Sequence, residues 1–67
     1  MYIVFKNEHE NEHESVTFSF LNKAEFDIII DNNSNYKYSH AQVFDDSKSL
    51  LMEFIFNYDY RTWIINT

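Results

Sequence analysis

The 67-residue sequence predicts an α+β domain: a small antiparallel sheet from the first two thirds with one helix near residues 46–60, and an all-β meander as the alternative. Three observations lead there. Residues 15–21 alternate apolar and polar, the period of a half-buried strand. Leu50, Leu51, Phe54, Ile55 and Tyr58 fall at helical spacing behind a pair of aspartates. The length suits one domain, residues 1–67, and not two.

Taken in chain order, residues 1–6 are β-branched and aromatic and read as a short strand. Residues 7–14, Asn-Glu-His-Glu-Asn-Glu-His-Glu, are a tandem repeat of a four-residue unit. In residues 15–21, Val16, Phe18 and Phe20 point one way and Ser15, Thr17 and Ser19 the other, which makes this the clearest strand. Asn22, with Glu25 three residues on, forms a capping-box pair that would open a short helical turn. Phe26-Asp27-Ile28-Ile29-Ile30-Asp31 then reads as a strand, and Asn32-Asn33-Ser34-Asn35 as a turn, since Asn tolerates the left-handed conformation.

From Tyr36 to Phe44 the alternation resumes, with Tyr36, Tyr38 and His40 on one face and Lys37, Ser39 and Ala41 on the other. Over residues 45–60 two periods compete. Asp46 or Ser47 would cap a helix, yet Met52, Phe54, Phe56 and Tyr58 also alternate as in a strand. The Asp pair and the length of the run favour the helix. Residues 62–66 either extend it or form a final strand.

A chain this short buries only roughly 60% of the surface its unfolded form exposes. It has no cysteine, so disulfides cannot supplement the core. Hydrophobic residues make up 45% of the chain and aromatics 19%, more rings than a small monomer hides easily, so a homodimer is expected. The start lacks the basic and apolar stretches of a targeting signal, and no run approaches the ~18 apolar residues of a membrane span. The expectation is a cytoplasmic protein without a membrane partner. Gly and Pro are absent, while Asn, Ile, Lys, Phe and Tyr are plentiful, which suggests an A/T-rich gene of the kind many phages carry.

The net charge of −6 argues against direct binding to nucleic acid, which requires a basic face. It suits a basic protein partner. Catalysis finds little support. His9-Glu10-Asn11-Glu12-His13 matches the H-E-x-x-H zinc pattern literally, but it arises trivially from the repeat and lacks an evident third ligand. Glu8/Glu12 and Glu10/Glu14 would repel one another at i,i+4 on a helix. A chain without glycine cannot build a phosphate-cradling loop or a nucleophile elbow. No catalytic residue, metal site or cofactor is expected, and adventitious metal binding by His9 and His13, with His40 as a third ligand, is the minor alternative.

The repeat is better suited to binding. If it is extended, Glu8, Glu10, Glu12 and Glu14 share a face at a spacing of about 6.6 Å, twice the ~3.3 Å strand rise. A row of carboxylates at that spacing stands in for the phosphates of a nucleic-acid strand. Asp27, Asp31, Asp45, Asp46, Glu53 and Asp59 would extend the row, and Tyr36, Tyr38, Tyr58, Tyr60 and Trp63 would anchor the contact. The competing interpretation is a solvated hairpin loop.

In size, charge, aromatic content and the run Asn7 to Glu14, the chain resembles the small acidic DNA-mimic proteins that phages use in host takeover. The resemblance is compositional and includes no diagnostic motif. It implies inhibition of a basic DNA-binding host protein, such as a nucleoid-associated protein, RNA polymerase or a defence nuclease. The alternative is a dimeric structural or adaptor protein that binds through exposed aromatics.

Overall fold

The computed structural model describes residues 1–7, 15–34 and 37–66. They form β1 (Tyr2–Lys6), β2 (Ser15–Ser19), α1 (Lys23–Asn32), β3 (His40–Phe44), β4 (Leu50–Asn57) and β5 (Thr62–Ile65). The strands make one antiparallel sheet in the order β2-β1-β3-β4-β5. Helix and antiparallel sheet together give the expected α+β class.

The helix is not where the spacing placed it. Residues 50–57 form β4, and residues 62–65 form the final strand. Asp45 explains part of the difference. Its carboxylate accepts bonds from the backbone N–H groups of Ser47 (2.8 Å) and Ser49 (3.0 Å). Lys48 N–H donates to the Asp45 carbonyl and itself adopts φ 67°. That is a tight hairpin turn ending in a left-handed residue, and it folds β4 back on β3. The alternating set Phe54 and Phe56 then joins the core, and the helical period loses.

The helix instead occupies residues 23–32 and takes in 26–31, which the β-branched run marked as a strand. The cap decides this. Asn22 Oδ1 accepts from Glu25 N–H at 3.0 Å, and Glu25 Oε1 accepts from Leu21 N–H at 2.7 Å. Once the helix is nucleated, Phe26, Ile29 and Ile30 fall on the face that packs on the sheet, and Ile28 is left 60% exposed. Asn33 Nδ2 and Ser34 Oγ close the far end by donating to the carbonyls of Ile29 and Ile30. Asn33 has φ −115°, so the expected left-handed asparagine is not found there.

The register divides the sheet residues into two sets. Ile3, Phe5, Val16, Phe18, Ala41, Val43, Met52, Phe54, Phe56, Trp63 and Ile65 share the face that α1 covers. The buried core is Ile3, Phe5, Phe20, Tyr38, Ala41, Val43, Phe56 and Trp63. The opposite face has no helix on it and mixes Tyr2, Val4, Phe44, Ile55 and Ile64 with polar residues such as Thr17, Gln42 and Glu53. Tyr2 and Phe44 stack there with centroids 5.2 Å apart. β3 begins at His40, later than the alternation from Tyr36 suggests, because Tyr38 and Ser39 turn inward and are buried.

Candidate protein-binding surfaces

The acidic residues occupy several surfaces. Asp27 and Asp31 lie on the exposed side of α1, and a Lys23 ammonium 2.9 Å away pairs with Asp27. Asp45 and Asp46 sit together in the β3–β4 turn. Asp45 is committed to holding that turn, and Asp46 accepts from the Met1 ammonium at 2.9 Å. Glu53 is on the uncovered face, where Gln42 Nε2 donates to it at 3.4 Å. Asp59 lies in the β4–β5 turn, whose backbone is held by Asn57 Oδ1 accepting from the N–H groups of Asp59 and Tyr60. The two turns stand at opposite ends of the eight-residue β4, about 26 Å apart at strand rise. Of these six acids only Asp45 and Asp46 are brought together, and the six do not form one row.

Glu8, Glu10, Glu12 and Glu14 lie outside the described residues, as do His9, His13 and Tyr36. The strands on either side of the segment are defined: Lys6 and Ser15 face each other in the β1–β2 ladder. Asn7 Nδ2 donates to the Lys37 carbonyl at 3.4 Å, and Ser39 N–H donates to the Lys6 carbonyl at 3.1 Å, so the end of β1 is fastened to the start of β3.

Two of the aromatic anchors need correction. Tyr38 and Trp63 are core residues, in contact with Phe5 at centroid distances of 5.8 and 5.5 Å, and are not available to a partner. Their burial depends on contacts distant in sequence, which local alternation does not reveal. Tyr58 and Tyr60 are exposed, Tyr60 at 80%.

The sequence did not point to an apolar surface at the Leu50 end of β4. Val43 pairs with Met52 and Phe44 with Leu50, so Leu51 is the extra residue of a bulge. Leu50, Leu51, Met52, Ile64 and Ile65 are each 42–57% exposed. A cleft of about 280 Å³ between the start of α1 and the sheet is lined by Met1, Phe20, Phe26, Val43, Leu51 and Met52, with Asn22 and Lys23 at its rim. A second cleft of about 280 Å³ lies beyond the end of β5, lined by Leu50, Leu51, Met52, Glu53, Ile65 and Asn66.

Ser39 and His40 make the closest approach to a reactive pair, with Oγ and Nδ1 2.8 Å apart. Ser39 is 4% exposed and sits at the junction of β1, β3 and β4, where its carbonyl accepts from Phe56 N–H. The backbone of Ser39 fastens β1, β3 and β4 together, and its hydroxyl is buried. Among the described residues no three His, Asp or Glu side chains converge as metal ligands, and no helix is long and apolar enough to cross a membrane. No family model, curated protein or solved structure matches the chain.

Proposed function

We propose that this is a non-enzymatic, acidic binding protein that acts in the cytoplasm. Its segment Glu8–Glu14 occupies the basic nucleic-acid-binding surface of a partner protein and so blocks it. The observation that carries this is the distribution of charge. Four of the eleven acids fall within residues 8–14, and all five Lys and Arg residues lie elsewhere. That one segment accounts for four of the six net negative charges, and the rest of the chain is nearly balanced. A focused acidic segment on a near-neutral scaffold steers toward a basic groove and gives affinity that falls with added salt.

The test is a pull-down from bacterial lysate at low salt, with mass-spectrometric identification against an acidic control protein. DNA-binding proteins are expected to be enriched and to be lost as salt rises. Replacing Glu8, Glu10, Glu12 and Glu14 together by Gln is expected to weaken capture at least roughly tenfold. Capture that withstands both salt and the fourfold substitution would refute mimicry. It would favour the second reading, an adaptor that binds through exposed apolar residues, which the exposure of Tyr58 and Tyr60 supports.

A further inference from the structure

We infer that a second copy of this chain docks along β5, joining two five-stranded sheets edge to edge about a two-fold axis at Ile64. The inference goes beyond the acidic segment and does not depend on it.

The ladder fixes which groups are free. Asn66 N–H donates to the Glu53 carbonyl at 2.9 Å, which continues the β4–β5 register by one residue. In an antiparallel ladder, alternate residues bond to the same neighbour. Thr62, Ile64 and Asn66 therefore bond inward to β4, and the N–H and C=O groups of Trp63 and Ile65 point to the open edge. That edge has no proline and no charged residue between Thr62 and Ile65, and β5 pairs with β4 without a bulge. Three devices that usually protect a sheet edge, proline, charge and a bulge, are therefore missing from β5. At the other edge, β2 turns Ser15, Thr17 and Ser19 to the uncovered face and has less apolar surface to bury.

A strand paired antiparallel with its own copy is self-complementary. With the axis at Ile64, Trp63 exchanges two hydrogen bonds with the partner's Ile65, and Ile65 exchanges two with the partner's Trp63. Ile64 meets the partner's Ile64 in a non-hydrogen-bonded pair, where Cα atoms approach to about 4.5 Å. The register one step earlier would draw Arg61 into the ladder, and its φ of 56° is not extended.

The same axis also sets an exposed ring beside a cleft. Asn66 falls opposite the partner's Thr62, so the partner's β4–β5 turn comes beside the cleft lined by Leu50, Leu51, Met52 and Ile65. That turn carries the partner's Tyr60, the most exposed aromatic among the described residues. Knob and notch lie on the same chain, which selects a second copy over an unrelated strand.

The test uses the full chain at tens of micromolar. Light scattering is expected to give about twice the 8.2 kDa chain mass. Ile64→Lys puts like charges directly opposite each other and is expected to raise the dimer dissociation constant roughly tenfold or more. Its folding is checked by circular dichroism. Ile64→Cys gives an independent measurement, because the chain has no other cysteine and the Cα separation of ~4.5 Å suits a disulfide. This variant is expected to link covalently under mild oxidation, and Thr17→Cys on the other edge is not. A monomeric wild type overturns the inference. So does a dimer in which Ile64→Cys fails to link, or in which Thr17→Cys links instead.

Discussion

The ring centroids of Phe5 and Trp63 lie 5.5 Å apart although two strands, β3 and β4, separate their own. Phe5 faces Ala41 across the β1–β3 ladder, and Ala41 is fully buried. A methyl group at that position leaves room for the two rings to close over it, and Phe56 completes the cluster at 5.2 Å from Trp63. The core of this small sheet is thus an aromatic arch over a small residue.

Ala41→Leu should therefore be costly even though it adds apolar volume. Extra methylenes in a filled core force off-rotamer side chains, at about 1–3 kcal/mol. Urea denaturation followed by the fluorescence of Trp63, the single tryptophan, is expected to show a midpoint lowered accordingly. An unchanged midpoint would mean that the arch has room to spare.

Asn22 is the second position where one side chain decides local structure. Asn22→Ala removes the bond to Glu25 N–H and is expected to cost about 1 kcal/mol. In a domain this size that lowers the melting temperature by roughly 4–8 °C. Glu25→Ala, which frees Leu21 N–H at an exposed site, should cost less. Thermal melts of both variants check the ranking.

The cap also shows what was legible in the sequence. Asn22 and Glu25 are a local signal, and the expected pairing is present. The alternation in β2 and the β-branched start of β1 are local too. The run Ile28-Ile29-Ile30 misled because β propensity is weaker than a helix already capped and docked through Phe26, Ile29 and Ile30. Residues 50–58 carried both periods, and the choice fell to the turn at Asp45–Lys48 and to pairing with β3, which neither period encodes. For the candidate surfaces, charge was legible and position was not. Asp27 and Glu53 lie on opposite sides of the molecule, and the apolar clefts appear only once β4 is a strand.

The aromatics divide into structural and surface groups, with opposite expected effects. Trp63→Ala empties a core site and is expected to cost about 3–5 kcal/mol, enough to unfold a marginal domain. Tyr60→Ala removes a ring that is 80% exposed and is expected to change monomer stability by less than about 0.5 kcal/mol. Denaturation at a concentration low enough to hold both variants monomeric makes the comparison. Equal losses would mean that the β4–β5 turn is part of the core.

Left-handed backbone in a chain without glycine leads to the last prediction. Lys48 and Arg61 are the described residues with positive φ, at 67° and 56°. Lys48 stands where a three-residue hairpin loop normally carries Gly. A side chain there costs roughly 1–2 kcal/mol. Lys48→Gly removes that cost but adds freedom to the unfolded chain, at about 0.5–1 kcal/mol. The difference favours the variant by about 0.5 kcal/mol, and its unfolding midpoint is expected to rise. Ser47→Gly in the same turn gains only the unfolded-state freedom, because Ser47 is not left-handed, and its midpoint is expected to fall. If both variants moved the same way, flexibility alone would set the stability of the turn, and the left-handed Lys48 would carry no strain.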